Sequence, residues 1–231
     1  GLLLTEGLHG MISQVEGLAK ALDLEYFHEK VELNNFWKFI PPKITPVKKF
    51  VFKNKIHRDF DIIISCGRKS VIPSIFLKKH NNKNIKSIHI QDPKVNFQNF
   101  DYIISPEHDD LKGENIISSK GAIHYLTTTD IEEKKNYLSD RVTKEKKIIT
   151  LILGGPTKYY TYSNQNILNI FSKISMQILN KDYQLIVIPS NRTPIKTIEL
   201  AKKFFSDKHL IIDGVDKNAY LSSLGVADYI I

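Results

Sequence analysis

The segment 154–158, Gly-Gly-Pro-Thr-Lys, combines residue types that bind phosphate groups. It follows an apolar run, Ile148–Leu153, whose length and composition are typical of a buried parallel strand, and a helical pattern comes after it. Glycines at a strand-to-helix turn let backbone N–H groups approach a phosphate, and the amino end of a helix adds a positive dipole. We therefore predict that Gly154, Gly155 and Lys158 bind phosphate.

A second loop in the same half of the chain, 190–194, also follows an apolar run. Its Pro194 suits the first turn of a helix, where a missing N–H costs little. Ligands of open parallel sheets bind beyond the carboxyl ends of the strands. We therefore predict that Ser190, Arg192 and Thr193 complete the phosphate site.

The first half of the chain carries a comparable loop at 65–70, Ser-Cys-Gly-Arg-Lys-Ser. Two adjacent cations at a helix amino end oppose the helix dipole unless an anion binds there, so Gly67, Arg68 and Ser70 are predicted to bind substrate. The alternative is an ordinary strand-to-helix turn in which Ser70 caps the helix and the cations are solvated. The spacing of a P-loop is absent from this segment.

Polar residues follow two further apolar runs of the first half. His89, Gln91 and Asp92 close one run, and Pro93 restricts the backbone of Asp92 to an extended conformation. We predict that these side chains point into a crevice at the sheet edge, with Asp92 as a candidate catalytic base. An Asx-Pro turn without a chemical role is the alternative.

The second of these runs ends in Glu107-His108-Asp109, a grouping that supplies a general base and a carboxylate to orient it. Glu107 and His108 are therefore candidate catalytic residues, and His124 after a weaker strand is a candidate substrate ligand. A polar loop without chemistry is the alternative. Metal binding is disfavoured because no second histidine lies nearby at ligand spacing.

Strand and helix patterns alternate along the chain, which predicts parallel, doubly wound sheets and two Rossmann-like domains. We place the domains at residues 1–143 and 144–231, because the segment 141–147 is dense in charge. A helix of poor amphipathicity is expected over Asp130–Arg141, at the end of the first domain. The sequence starts and stops inside strand patterns, so we expect a fragment whose second domain is incomplete at its C-terminus.

The formal charge of +8 favours an anionic partner, either a phosphorylated small molecule or an acidic membrane surface. Nucleic acid is disfavoured because neither a basic helix nor an RNA-binding aromatic motif occurs. The single cysteine, Cys66, excludes an internal disulfide and suits a cytoplasmic protein. Apolar runs are all far shorter than the roughly 20 residues that span a bilayer. Motifs for a serine nucleophile and for a dinucleotide are also absent.

Eight segments in order along the chain carry a resemblance to a known family. They are GLHGMISQVEGLAKAL, FIPPKITP, DIIISCGRKSVIPS, HIQDPK, FDYIISPEHDDLKGENI, GAIH, ITLILGGPTKYY and VIPSNRTP. The chain resembles a bacterial-type member of the family named for the plant mitochondrial-fission protein of elongated-mitochondria mutants. Leu8 and His9 depart from the arginine and alanine common in the first loop of that family, which argues against anion binding there.

The resemblance implies a fold similar to two-domain GT-B glycosyltransferases, in which the second domain binds the donor diphosphate. It implies a nucleotide-sugar as co-substrate, no permanently bound cofactor or catalytic metal, and glycosyl transfer to an acceptor of the cell envelope. One alternative is a non-catalytic adaptor that recruits a dynamin-like GTPase to a membrane, with Phe36–Pro42 as its docking patch. Another is a sugar-nucleotide epimerase of the GT-B type. A peripheral position at the inner face of a membrane fits either hypothesis.

Overall fold

The structure is a computed structural model that describes residues 1–55, 59–81, 83–143, 145–157, 160–178, 182–205 and 207–231. The chain divides into two compact units, Gly1–Tyr125 and Leu126–Ile231. The division falls earlier than the boundary that we placed after residue 143. The reason is that Leu138 is buried in the core of the second unit, where its N–H donates to Ser222 Oγ at 3.1 Å.

The first unit is built on one sheet of six parallel strands in the order β2-β1-β3-β4-β5-β6. The strands are β1 Leu2–Thr5, β2 Phe27–Lys30, β3 Ile62–Cys66, β4 Lys86–Ile90, β5 Tyr102–Pro106 and β6 Ile116–Ser119. The helices are α1 His9–Ala21 and α2 Val71–Lys79. Short 3₁₀ turns link several of these elements, and three of them lie between β2 and β3.

The central strands of this sheet are apolar throughout because helices or loops cover both of their faces. Leu2, Leu3 and Leu4 of β1 are all buried, as are the isoleucines 63 and 64 of β3. Leu3 and Ile64 pack with α1, whereas Leu2 and Ile63 belong to the larger cluster on the opposite face. The sequence pattern of uninterrupted apolar runs therefore predicts these strands correctly.

The second unit holds a sheet of four parallel strands in the order β10-β7-β8-β9. The strands are β7 Lys147–Leu153, β8 Tyr183–Pro189, β9 Leu210–Ile211 and β10 Tyr229–Ile230. The helices are α3 Thr128–Lys134, α4 Asn164–Ile178, α5 Ile195–Phe204 and α6 Lys217–Val226. The two sheets confirm the predicted α/β class with parallel, Rossmann-like units.

The helix predicted over Asp130–Arg141 needs a correction. The α-helix begins with a capping box of Thr127 and Asp130, ends at Lys134, and continues as a 3₁₀ helix over Lys135–Arg141. Ser222 explains the change, because its hydroxyl donates to the Lys135 carbonyl at 2.8 Å and accepts from the Leu138 N–H. In a continuous α-helix both of these backbone groups would bond within the helix.

Parallel strands place the loops that follow them at one edge of each sheet. In the first unit the chain crosses from one side of β1 to the other, so β1 and β3 flank the switch in strand order. In the second unit β7 lies between β10 and β8. Such switch points leave a crevice beyond the carboxyl ends of the strands, where ligands of open α/β sheets bind.

Candidate functional site

The loops after β7 and β8 lie side by side in the second unit, and Thr193 joins them. Its Oγ1 atom is 2.7 Å from the carbonyl oxygen of Leu153 and 2.8 Å from that of Gly154, so its hydroxyl proton is shared between the two. The same Oγ1 accepts from the Ser190 N–H at 2.9 Å. The structure thus brings together Gly154, Ser190 and Thr193 from two segments that are distant in sequence.

Position 155 must be a glycine because the loop after β7 comes very close there to the loop after β8. A Cβ atom at this position would lie 1.9 Å from the carbonyl oxygen and 2.4 Å from the carbonyl carbon of Arg192. At Gly154, by contrast, a Cβ would meet nothing within 4 Å. The amides of Gly154 and Gly155 donate to no residue in the part of the chain that the structure describes. Two N–H donors without a partner among the described residues therefore lie next to Arg192.

Arg192 is solvent-exposed, and its guanidinium has no ion pair or hydrogen-bond partner among the described residues. Pro194 is the N-cap residue of α5, and the exposed Lys196 lies in the first turn of this helix. Exposed amides, two cations and a helix amino end make an arrangement suited to a phosphate group. Lys158, the other cation that we predicted here, lies outside the described residues.

Two details of this site differ from the sequence-based expectation. The helix α4 starts only at Asn164, so it is α5 rather than α4 that begins close to the predicted phosphate ligands. Sequence reasoning also missed Lys196, although its position two residues after Pro194 placed it in the first helical turn. A cation near a helix amino end is unfavourable without an anion, and this was the available signal.

In the first unit a cavity of about 530 Å³ lies at the carboxyl ends of β4 and β5. Three predicted site residues, Gln91, Asp92 and His108, line it. Its other lining residues are Gln14, Lys94, Pro106, Asp109 and Ala122. Glu107 and His124 are both exposed and are not among the described residues that line this cavity. The structure thus groups part of the predicted acceptor site and leaves the rest outside it.

Asp92 is held in a local ion pair. Its carboxylate accepts from the Lys94 N–H at 2.8 Å and from the Lys94 ammonium group. The hydrogen bond to Asp92, together with the charge of Asp92, raises the pKa of Lys94. Because its carboxylate already binds Lys94, Asp92 is better suited to binding than to proton abstraction.

His108 has a carboxylate partner in the same cavity. Its Nε2 atom lies 3.7 Å from Asp109 Oδ1, and the other oxygen of Asp109 accepts from Ser105 Oγ at 3.1 Å. Asp109 is therefore oriented by Ser105 and can orient the imidazole in turn. This arrangement has the form of a general base with its supporting carboxylate.

His89 lies in the core rather than in the crevice, which corrects the predicted substrate-binding orientation. The ring is 1% exposed, its Nδ1 atom lies 2.9 Å from Ser65 Oγ, and it packs against Phe100. Burial lowers the pKa of His89 to about 3, against a weaker opposing effect of the Asp92 charge. The imidazole is consequently neutral and has a structural role between β4 and β3.

The loop 67–70 also departs from the predicted anion cradle, because its polar groups bind the protein itself. Arg68 donates to the carbonyl oxygens of Ile40 and Lys38 at 3.1 and 2.6 Å. Ser70, fully buried, donates to the carbonyl oxygen of Gly67 at 2.7 Å. Gly67 has φ +93°, and a Cβ there would lie 2.7 Å from Met11 Sδ. The loop is therefore a packed structural turn.

Glu6 completes this structural turn. Its carboxylate accepts from the Lys69 N–H at 3.0 Å and pairs with the Lys69 ammonium group at 2.9 Å. Burial raises the pKa of Glu6, but the hydrogen bonds from Lys69 and the charges of Lys69 and Arg68 outweigh it and lower the pKa overall. Glu6 is thus an anionic partner supplied by the chain at the place where we expected a ligand.

A second cavity of the first unit, about 280 Å³ in volume, lies beside Glu6 at the ends of β1 and β2. Four lysines line it, namely Lys30, Lys38, Lys53 and Lys69. Sequence reasoning missed this cluster because the lysines are spread over forty residues. Only the parallel pairing of β1 with β2 and β3 brings them to one sheet edge.

Over the described residues, no group of three or more His, Cys, Asp and Glu side chains is arranged to hold a metal ion. Cys66 is buried in β3, and burial raises the pKa of its thiol to about 12, with a smaller contribution from Glu6. The thiol is therefore protonated and is unsuited to nucleophilic chemistry. In the part of the chain that the structure describes, no helix is both long and apolar enough to cross a bilayer.

Two Rossmann-like units with loops at their carboxyl edges define a GT-B-like fold. The chain superposes on the UDP-GlcNAc 2-epimerase of Methanocaldococcus jannaschii with a TM-score of 0.55 and 14% identity, over 99% of this chain and 77% of that one. It superposes on S. aureus MnaA, solved together with UDP, with a TM-score of 0.53 and 13% identity, over 99% and 72%. At these identities the similarity shows the fold alone.

The family is shown by sequence. Residues 9–231 match the model of the mitochondrial fission ELM1 family, and the chain belongs to that family. It is 26% identical to an uncharacterized protein of Rickettsia prowazekii, over 96% of this chain and 72% of that protein. It is 19% identical to the mitochondrial fission protein ELM1 of Arabidopsis thaliana, over 72% of this chain and 45% of the plant protein.

Proposed function

We propose that the protein binds a nucleotide-sugar through its second unit and transfers the glycosyl group to an acceptor hydroxyl, with the cell envelope as the source of acceptor. The observation that carries this proposal is the contact of Gly155 with the Arg192 backbone. It holds two amides, which have no partner among the described residues, against the backbone of an exposed arginine, and this set of donors suits the diphosphate of such a donor.

In this proposal the amides of Gly154 and Gly155 bind phosphate oxygens, and Arg192 neutralises their charge. The Thr193 hydroxyl, 2.7 Å from the Leu153 carbonyl oxygen and 2.8 Å from that of Gly154, holds the two loops together. Lys158, which the sequence places in the same loop, adds a further cation. The second unit is thus the donor side, and its ligand is a co-substrate rather than a permanently bound cofactor.

The first unit would be the acceptor side, with the 530 Å³ cavity as the binding site. The acceptor oxygen attacks the anomeric carbon of the donor sugar, and the bond from that carbon to the diphosphate breaks. The electron pair leaves with the nucleoside diphosphate, and the proton of the acceptor hydroxyl passes to the base. We assign His108 as that base because Asp109 supports it, whereas Asp92 is paired with Lys94.

Titration calorimetry tests the donor site. We expect a uridine, guanosine or cytidine diphosphate, or one of their sugars, to bind to the wild-type chain. Arg192→Ala should weaken that binding by about ten-fold or more, since it removes a charge-assisted hydrogen bond. The matched control is Arg68→Ala, because Arg68 is an exposed arginine whose donors already bind carbonyl groups.

If none of these nucleotides binds, the proposal fails and the non-catalytic adaptor becomes the leading hypothesis. If a nucleotide binds, release of nucleoside diphosphate from its sugar in the presence of envelope extracts measures transfer. Loss of release in His108→Ala with unchanged nucleotide binding would assign His108 to the chemical step. Unchanged release in His108→Ala would refute the assignment of the base.

Epimerisation of a sugar-nucleotide is a second candidate, favoured by one specific observation. The two structural neighbours described above are a UDP-GlcNAc 2-epimerase and a protein solved with UDP, and each superposes over 99% of this chain. Nuclear magnetic resonance of UDP-GlcNAc incubated with the protein separates the two candidates. Inversion at C2 without any acceptor indicates an epimerase, and an unchanged sugar-nucleotide excludes that activity on this substrate.

A further inference from the structure

The segment 33–55 between β2 and β3 has an unusual charge distribution. It contains six lysines and not one aspartate or glutamate. All six lysines are exposed, namely Lys38, Lys43, Lys48, Lys49, Lys53 and Lys55. The segment is therefore a concentrated stretch of positive charge.

Large apolar side chains alternate with these lysines and are exposed too. The exposed fractions are 67% for Phe36, 83% for Phe39, 69% for Ile44 and 58% for Phe50. We call these four residues, together with Lys38, Lys43 and Lys48, the docking face. Of the aromatic residues in Phe36–Pro42, only Trp37 is half-buried against the core.

The docking face is held in a fixed conformation by its inner side. Leu33 pairs with Phe52 in an antiparallel bridge, and the Asn34 N–H donates to the Val51 carbonyl at 2.9 Å, so the two ends of the segment are tied together. Pro42 and Thr45 are buried between them. A surface that is already ordered loses little conformational entropy when it binds.

We propose that the docking face binds the surface of a lipid bilayer that contains anionic lipids. Phenylalanine and isoleucine side chains would enter the boundary between headgroups and acyl chains, while the lysines would pair with lipid phosphate and carboxylate groups. A protein partner fits less well, because lysine is depleted in the cores of protein–protein interfaces. The segment combines lysines, without any acidic residue, with exposed aromatic side chains, and this combination suits the surface of an anionic bilayer.

Two lysines of the segment also line the 280 Å³ cavity. Lys38 and Lys53 line it together with Lys30 and Lys69, and Glu6 and Glu32 lie among these lysines. The lining therefore keeps a net positive charge beside the docking face. The proposal does not depend on nucleotide binding, since the residues it uses all belong to the first unit and the proposed donor ligands to the second.

Co-sedimentation with vesicles tests the proposal on the full chain. One set of vesicles contains phosphatidylcholine alone, and the other contains phosphatidylcholine mixed with phosphatidylserine. We expect binding to the mixed vesicles only, and weaker binding as salt is added. Binding of equal strength to both sets, or to neither, would overturn the proposal, and in the second case a protein partner would be sought.

Trp37 is the only tryptophan of the chain and lies inside the segment, with its ring centre 5.0 Å from that of Phe36 and 5.8 Å from that of Phe50. Its fluorescence therefore reports on the docking face directly. We expect a blue shift with mixed vesicles and quenching by brominated acyl chains. Sedimentation without either signal would mean that another surface binds, which contradicts the proposal.

Matched variants separate the aromatic and the charged contributions. Phe39→Ser should weaken binding about ten-fold, while Met176→Ser, which removes a side chain 70% exposed in the second unit, should leave it unchanged. Lys43→Glu should weaken binding at least about five-fold, and the exposed Lys120→Glu is its control. Equal losses in a variant and its control would refute a specific docking face.

Discussion

The loop after β3 in the first unit and the two adjoining loops after β7 and β8 in the second carry similar residues but pair them differently. In the first, Arg68 and Ser70 bind carbonyl groups of the chain, and Lys69 binds Glu6. In the second, Arg192 and the amides of two glycines have no partner among the described residues. A glycine, a cation and a hydroxyl after a strand therefore do not identify an anion site until their partners are known.

The glycines of the two loops differ for a related reason. Gly67 has a left-handed backbone and lies under the flexible Met11 side chain. Gly155 touches the backbone of Arg192, which cannot move without shifting the loop after β8. The first glycine allows a turn to form, whereas the second allows two loops to meet. This difference can be tested by adding a single methyl group at each position.

The largest effect is expected for Gly155→Ala. The new Cβ would overlap the Arg192 carbonyl, so the two loops must separate, at a cost of about 3 kcal/mol in the free energy of unfolding of the second unit. Chemical denaturation followed by circular dichroism measures the change. The control is Gly154→Ala, where the Cβ meets nothing within 4 Å, and an equal loss there would refute the close approach.

A smaller effect is expected for Gly67→Ala. An alanine at φ +93° is strained, and the Met11 sulfur must also move, which together should destabilise the first unit by about 2 kcal/mol. Gly121→Ala, at an open position of the same unit, should be neutral. Met11→Ala removes the side chain that the new Cβ would clash with, so Gly67→Ala should destabilise the Met11→Ala protein less than it destabilises the wild type. If the two losses in the free energy of unfolding are equal, the whole loss comes from backbone strain at position 67.

The stability of the first unit should depend on pH, because this unit buries the neutral imidazole of His89. Its pKa of about 3 in the folded state lies below the ordinary value of 6.5, so the unfolded state binds more protons between these values. The stability contribution is complete above pH 6.5 and is lost as the pH falls towards 3. Between about pH 6.5 and 5.5 the first unit should lose about 1 kcal/mol.

Denaturation followed by Trp37 fluorescence measures this loss in the first unit, and His89→Gln should remove the part that is due to His89. The pKa values of His28 and His209 are lowered by burial as well, but both residues remain in the variant. The difference between the wild type and His89→Gln therefore isolates His89. An identical pH dependence in the two proteins would show that His89 is not the titrating group.

The smallest changes in stability are expected for substitutions of Arg68 and Arg192. Arg68→Gln removes two exposed hydrogen bonds to carbonyl groups and should cost about 0.5–1 kcal/mol of stability in the first unit. Arg192→Gln should leave the stability within about 0.5 kcal/mol of the wild type, because an exposed side chain without partners contributes little. Denaturant midpoints compare them, and a larger loss for Arg192→Gln would reverse the assignment of the structural and the free arginine.

Much of the fold could be predicted because its signals are local. The apolar runs at Ile62–Cys66 and Lys147–Leu153 identify buried parallel strands from composition alone. The helix after Thr127 was less predictable, because Ser222 from a distant helix diverts its last turn into a 3₁₀ conformation. Local periodicity carries no information about such a partner.

The candidate site was predictable in part for the same reason. The sequence places Asp92 and His108 after strands of the first sheet and Gly155 and Arg192 after strands of the second, and each parallel sheet brings its own strand ends to one edge. It does not reveal that Asp92 is paired with Lys94 or that Asp109 supports His108. The lysines around the smaller cavity of the first unit were missed altogether, because only strand order makes them neighbours.

The sequence by itself determined the alternation of strands and helices, the parallel α/β class and the family, because these depend on local apolar patterns and on motif order. Tertiary structure alone decided which polar groups are already bound. Ser65 binds His89, and Arg68 binds the carbonyl of Ile40, across 24 and 28 residues of sequence. Hydrogen bonds depend on distance in space, so only the folded chain separates a self-satisfied loop from one that can receive a ligand.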